Sequence, residues 1–334
     1  MSPTIRDVAK HAGVSVATVS RYLNNSPLIA PASIEKVKAS MEALNYQPNF
    51  IAKSLSMQAS LNIAFVVDGS NIETTGNDYF LRIQYGAEQR LSENGYFLMI
   101  ISIDGNGAGE ELLERLAKEK RIDGVIIPAA LASDNLISIL QELDFPFVVF
   151  GKSSNKNVHL LDLDNAMGSR LAVDKLVEGK SRRIGFVTNS FDKIFVQERF
   201  QGYCDAVKEA HLVFSEEDVV EGCYDNQDGY DYIMKQQELC DAYVVTDNMV
   251  AFGMLKAMEE RKIKVPEEVQ LVSFDNTVSA KLSKPQMTVV DIDVVELGRC
   301  AANMLLEQFG NKKETKKQCL MPVSLIERGT TMRT

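Results

Sequence analysis

At 334 residues the chain has room for about two or three domains. Its formal net charge of −10, taken alone, argues against a nucleic-acid partner, but the charge is uneven: residues 1–60 hold six Lys and Arg against three Asp and Glu, leaving thirty against forty-three in the rest. A mildly basic start on an acidic body suits a protein that binds nucleic acid at chosen sites without coating it at random.

The first elements fall at Thr4–Leu23. Thr4 followed by Asp7 has capping-box spacing, and Ile5, Val8 and Ala9 repeat at helical spacing behind it. Gly13 supplies a helix stop, and Ser15 offers a second N-cap a few residues later. The next helix, about Val16 to Leu23, buries Val19, Tyr22 and Leu23 and turns Val16, Ala17, Thr18, Ser20 and Arg21 outward. Two short helices around a Gly-containing turn make a helix-turn-helix unit, whose second helix presents its N-terminal residues to a major groove. Pro31 suits the first turn of a third helix, in which Ile34, Val37, Met41 and Leu44 form one buried stripe.

The stretch "TIRDVAKHAGVSVATVSRYLN" resembles the head of the lactose/galactose repressor (LacI/GalR) family, and "YQPNFIAKSL" resembles that family's hinge. The resemblance extends down the whole chain. It implies that Val16 and Ala17 are the principal base-reading pair and that Arg21 reads guanine. Thr18, Ser20, Asn24 and Asn25 fall among phosphate and groove contacts, and Thr4, Ser15, Asn49 and Ala52 complete the implied DNA-binding set. The chemistry agrees, since an Arg fork fits guanine edges and small apolar groups fit thymine methyls. The chain departs from the family at the third helix, where Ala30 stands at the cap in place of a hydroxyl residue, and at Lys53, where Arg is common.

Within the hinge, Pro48 fixes the approach, Asn49 can cap, and residues 51–56 make less than two helical turns. So short a helix does not hold alone in water, because nucleation is costly, and it is expected to order only against DNA and a dimer partner. By resemblance Leu55 is the apolar wedge that enters the minor groove at the operator centre and kinks the duplex.

From residue 61 apolar strands alternate with helices. The strands are expected at Ile63–Val67, Phe97–Ile103, Gly124–Ile127, Phe147–Phe150, Ile184–Thr188, Val219–Cys223, Ala242–Val245, Val269–Phe274 and Met287–Asp291. Short, nearly continuous apolar strands imply sheets covered on both faces, hence parallel α/β architecture. The alternation resembles the type I periplasmic-binding-protein fold, with two Rossmann-like lobes and a ligand cleft between them. The expected domains are a head at 1–47, a hinge helix and linker at 48–60, and an effector-binding and dimerisation core at 61–334. Within the core, the first lobe is placed at about 61–161 plus 292–321 and the second at about 162–291 plus 322–334.

Ligands in such sheets sit beyond the carboxyl ends of strands. Arg199 in "TNSFDKIFVQERFQGY" and Asp275 in "VSFDN" match the family's effector-binding Arg and Asp, and Tyr224 falls where the family tends to carry an aromatic ring. Asp247 in "VVTDN" and Tyr79 in "NDYF" also follow strands, although an Asp there commonly caps the next helix and an aromatic residue there can simply pack it. Carboxylates, an Arg and an aromatic platform suit a neutral sugar. "FPFVVFGKS", "TNSFDKIFVQERFQGY" and "VVDIDVVELGR" look most like the maltose-operon repressor branch, which implies maltose or a maltodextrin as effector.

The leading expectation is therefore a homodimeric repressor of a sugar-utilisation operon, bound to a pseudo-palindromic operator and released by its sugar. The rival within the family is a catabolite-control regulator switched by a phosphorylated carrier protein. From other classes, a secreted sugar-binding protein is opposed by the head and by the absence of an apolar signal core, which point to a cytoplasmic protein without membrane association. An enzyme is opposed by the lack of a Gly-rich phosphate fingerprint or a "GxSxG" elbow. The five scattered cysteines form no Cys-x-x-Cys and, with three histidines, suggest reduced thiols and no metal or other cofactor.

Overall fold

The computed structural model describes residues 3–23, 28–47, 54, 59–70, 78–104, 107–153, 155, 157–310 and 316–332, and it divides into two compact units, residues 1–61 and 62–334. The first contains α1 (Ile5–Ala12), α2 (Val16–Leu23) and α3 (Pro31–Ala43). The Asp7 carboxylate reaches back to accept from the backbone N–H of Thr4 at 2.8 Å and from its hydroxyl at 2.7 Å. Gly13 ends α1 at φ 65°, a left-handed conformation that glycine adopts without a Cβ penalty. Ser15 then caps α2, its hydroxyl accepting from the Thr18 backbone N–H at 3.1 Å. Val8, Ala9, Ala12, Val19 and Val37 form the buried centre, with Tyr22, Leu23, Met41 and Leu44 packed on it. Ile34, expected in the same stripe, is only half-buried. As the sequence indicates, α3 starts from Ala30 with no side-chain cap and Pro31 in its first turn.

The second unit holds two six-stranded sheets of the same spatial order. The first sheet contains β1 (Asn62–Asp68), β2 (Phe97–Ile103), β3 (Gly124–Pro128), β4 (Phe147–Phe150), β5 (Leu160–Leu163) and β11 (Gln318–Met321), ordered β11-β5-β4-β3-β1-β2. The second contains β6 (Ile184–Val187), β7 (Val219–Val220), β8 (Ala242–Val245), β9 (Gln270–Phe274), β10 (Thr288–Asp291) and β12 (Ser324–Ile326), ordered β12-β10-β9-β8-β6-β7. The pairings run parallel except β12 against β10, which is antiparallel. The expected α/β fold with two lobes and parallel sheets is therefore what the chain forms.

Each sheet is covered on both faces. On the first, α4 (Asp78–Ser92) and α12 (Val294–Gly310) bury Ile83, Leu91, Leu297 and Leu305 against Ile63, Phe65 and Ile126. Behind it, α5 (Ala108–Lys118) and α6 (Asp134–Glu142) bury Leu113, Ile137 and Leu140 against Ala64, Val66 and Val125. Consecutive residues of β1 thus serve opposite cores, the period of two that a strand imposes. The second sheet repeats the arrangement with α7 (Asn165–Glu178) and α8 (Ile194–Glu209) on one face and α9 (Asn226–Lys235) and α10 (Asn248–Glu260) on the other.

Three connections join the lobes: Leu163 to Asn165, Asp291 to Val294 and Met321 to Ser324. The lobe boundary placed at about residues 161 and 162 falls within β5, which is hydrogen-bonded in the first sheet, so the chain leaves that sheet only after Leu163. The strand expected at Val219–Cys223 stops at Val220, since Gly222 takes φ 93°. A five-residue helix, α11 (Val278–Leu282), lies between β9 and β10.

Candidate functional site

Two sites follow from this framework, one in each unit. In the head, α2 leaves Val16 43% exposed, while Ala17 and Arg21 are exposed and Thr18 and Ser20 half-buried. Ser15 and Thr4, also exposed, are held in their caps, and the Ser15 and Thr18 hydroxyls lie 2.9 Å apart. A helix capped at its N-terminus, buried on Val19 and free along Val16, Ala17 and Arg21, has the shape needed to enter a groove. His11 ties α1 to α3 through Ser40, 3.0 Å away; because the Ser40 hydroxyl donates to Lys36 O, the histidine Nδ1 is the donor to Ser40. Asn24, Asn25, Asn49, Ala52 and Leu55 lie outside the described residues.

In the core, the carboxyl ends of the strands gather a polar cluster. Arg199, on the second turn of α8, is buried to 6% exposure. Its Nε donates to Asn165 Oδ1 and its Nη1 to Thr246 O, both at 3.1 Å. The guanidinium carbon stands 3.9 Å from the centre of the Phe274 ring and 5.1 Å from that of Phe195. Burial pushes Arg199 below its ordinary value, while the nearby Asp275 carboxylate pulls the other way.

Asp275 follows β9 in a left-handed conformation, φ 69°. Its backbone N–H donates to Val290 O at 2.9 Å, and its carbonyl accepts from Asn248 Nδ2 at 2.6 Å. The next residue, Asn276, accepts from Arg328 Nη2 at 2.6 Å. These bonds hold a backbone shape that a non-glycine residue seldom takes. Burial raises the Asp275 carboxyl, with Arg199 opposing. Its Oδ1 is buried without a hydrogen-bond partner, and the same is true of Asn248 Oδ1.

Tyr79, Arg82, Asp275, Asn276, Thr277, Ile292 and Val294 surround a cavity of about 10 Å³ between the lobes. Burial, and then Asp275, raise the Tyr79 phenol, so it is neutral at physiological pH. That is room for little more than a water molecule, far below the ~300–1,000 Å³ of typical ligand pockets, so a bound small molecule needs the lobes to part.

Arg199, Asp275 and Tyr79 are thus brought together. Asp247 sits beside them electrostatically, but its Oδ1 accepts from the backbone N–H groups of Met249 at 2.7 Å and Val250 at 3.2 Å, which is the capping role. Tyr224 has no part in these contacts: its side chain is 65% exposed, and its backbone N–H is held by Asp228 at the start of α9. Sequence reasoning missed Asn165, Thr246 and Asn248, which position Arg199 and Asp275. Asn165 follows Asp164, the cap of α7, and that cap was the one available signal.

A capped recognition helix on a separate head, joined to a two-lobed core with a polar interlobe site, defines a ligand-responsive DNA-binding regulator. Residues 4–49 match the family of bacterial regulatory proteins of lacI type, and residues 173–331 match the periplasmic binding protein-like domain. The HTH-type transcriptional repressor PurR of Haemophilus influenzae (strain PittEE) is 30% identical over 320 residues, 94% of each chain. The PurR of Vibrio atlanticus (strain LGP32) is 28% identical over 98% of each. Among solved structures, a complex of the transcriptional regulator CelR with cellobiose is 27% identical, covers 98% of this chain and 99% of its own, and superposes with a TM-score of 0.72. The Lac repressor dimer bound to operator and the anti-inducer ONPF shares the fold at TM-score 0.76, with 24% identity and full coverage of both chains. The chain belongs to the LacI family, as a DNA-binding transcriptional repressor of that type with a small-molecule-binding domain. The PurR relatives are not maltose-operon repressors, and they do not carry the expected maltose branch.

Proposed function

We propose that this protein is a sugar-responsive repressor of a sugar-utilisation operon, released from its operator when maltose or a maltodextrin enters the cleft between its lobes. The observation that carries the reading is the pair of buried acceptors, Asp275 Oδ1 and Asn248 Oδ1, left without donors beside a guanidinium already engaged through Nε and Nη1. Buried acceptors require partners, and adjacent hydroxyls of a neutral sugar supply donors in pairs. Phe195 and Phe274 lie against the same guanidinium, and Tyr79 offers an aromatic ring and a neutral hydroxyl. The CelR–cellobiose complex supports a glucose disaccharide as the class. The resemblance of "FPFVVFGKS" and "VVDIDVVELGR" to maltose-operon repressors narrows it to maltose.

The DNA side follows from the head. Two copies bind a pseudo-palindrome, with Arg21 reading guanine and Val16 and Ala17 lying against thymine methyls. Asn24, Asn25 and Asn49 join the backbone contacts, and Leu55, with Ala52 beside it, wedges the operator centre. The sugar acts by binding the two lobe arrangements unequally, because a ligand with equal affinity for both shifts nothing.

The test is thermal unfolding of the full chain with maltose, maltotriose, cellobiose, glucose, galactose, ribose and purines. Ligand at about 100 times its dissociation constant adds roughly 2.7 kcal/mol and raises the midpoint by several degrees. A shift with maltose or maltotriose supports the proposal, and one with purines alone overturns the sugar. No shift with any of them transfers the switch to a protein partner, with the phosphorylated carrier as the next titrant.

A further inference from the structure

Beyond the effector contacts, one basic side chain stands between an acid from each lobe. Lys152 follows β4 in the first lobe, where its neighbour Gly151 is pinned to β5 by a backbone hydrogen bond to Leu161 O at 2.8 Å. Its Nζ lies 2.6 Å from Glu198 Oε1 on α8 of the second lobe. The same nitrogen is 3.8 Å from Asp162 Oδ2 at the end of β5, in its own lobe. Glu198 in turn accepts from Asn165 Nδ2 at 3.2 Å, and Asn165 Oδ1 accepts from Arg199. A chain of polar contacts thus runs from the first lobe through Lys152, Glu198 and Asn165 to the buried guanidinium.

We propose that Lys152 is an interlobe clasp: a positioning residue that neutralises one carboxylate from each lobe and so sets how readily the cleft opens. The proposal rests on the reading of the cleft as the effector site, since opening there is what admits a sugar. The physical reason is that Asp162 and Glu198 repel one another wherever Lys152 is absent. Burial raises the Asp162 carboxyl first, and Glu198 raises it further, while Lys152 lowers it. Asp162 is nearly buried, so its interactions are screened less than those of a surface acid. Lys152 is 42% exposed along its side chain, so it can be replaced without opening a core.

Amide hydrogen exchange of the full chain without ligand tests the clasp. Lys152→Met is expected to speed exchange at 188–193 and 275–277 by about two- to ten-fold, the size of effect a partly exposed ion pair has on a local opening. Glu198→Gln, which keeps an acceptor for Asn165 but removes one repelling charge, is expected to have a smaller effect. The double variant Lys152→Met/Glu198→Gln is expected to exchange more slowly than Lys152→Met alone, because the repulsion has been removed. Lys152→Arg keeps the charge and is expected to restore rates near wild type. Wild-type rates in Lys152→Met, or a double variant at least as fast as that single variant, overturn the clasp. Failure of every sugar in the melting panel overturns the effector reading and leaves this exchange result standing.

Discussion

At Asp275 the proposed binding role and the demands of stability pull apart. Burial lifts its carboxyl above the ordinary range even with Arg199 nearby, so the folded state holds its proton more tightly than the unfolded chain does. A group shifted in that direction contributes stability that is complete below the unfolded value, about 3.9, and lost as the pH rises through the folded one. At neutral pH the burial of the Asp275 carboxyl is therefore a cost to stability. Asp275→Asn is expected to melt at or above wild type at pH 7, with the difference closing toward about pH 4, and to lose its response to effector. Melting curves of both chains across that range check the sign, and a variant that is destabilised at pH 7 contradicts it. Arg21 presents the opposite case, an exposed side chain outside the head's buried centre. Arg21→Ala is expected to relax operator preference at one base position, at about 1–3 kcal/mol for the lost contact. Selection from a randomised operator library reads this directly, and equal weakening on all DNA would show a phosphate contact instead.

The helices were legible from their periodic apolar faces, and the sheet-centre strands because their apolar runs are buried on both faces, as in Ile63–Val67 and Ala242–Val245. Two of the four sheet edges, β11 and β12, were not. Gln318–Met321 and Ser324–Ile326 lie largely outside the core, so no apolar pattern marks them. Arg199 and Asp275 were found as residue types near strand ends, but the groups that position them include the carbonyl of Thr246, and a carbonyl carries no sequence signature. Close helix pairing was equally hidden. At Gly86 an added Cβ would run into the backbone of Val295, and at Gly298 into that of Ile83, so α4 and α12 approach through glycine on both sides. Gly298→Ala is expected to force the two helices apart and to destabilise the chain by about 1–3 kcal/mol. Urea unfolding checks this, and an unchanged midpoint would mean that the pair shifts without strain.

Over the whole molecule the two sheets share one strand order, and each lobe takes the chain back from the other. Residues 294–321 return to the first sheet after β6 to β10 of the second have been made, bringing α12 and β11. The core around Phe65 and Leu91 therefore lacks Leu297, Ala301 and Leu305 until late in the chain. The head has no such dependence, since its buried centre lies within residues 8–37. On the ribosome this separates two events: the DNA-reading head can close early, whereas the first lobe waits, with an apolar sheet face uncovered, for nearly all of the remaining synthesis. A message cut short before codon 294 would give a chain with a finished head and an unfinished sensor. Chaperones and proteases that recognise exposed apolar surface would meet such a chain as a substrate, and their action would keep heads that no ligand can control away from the operator.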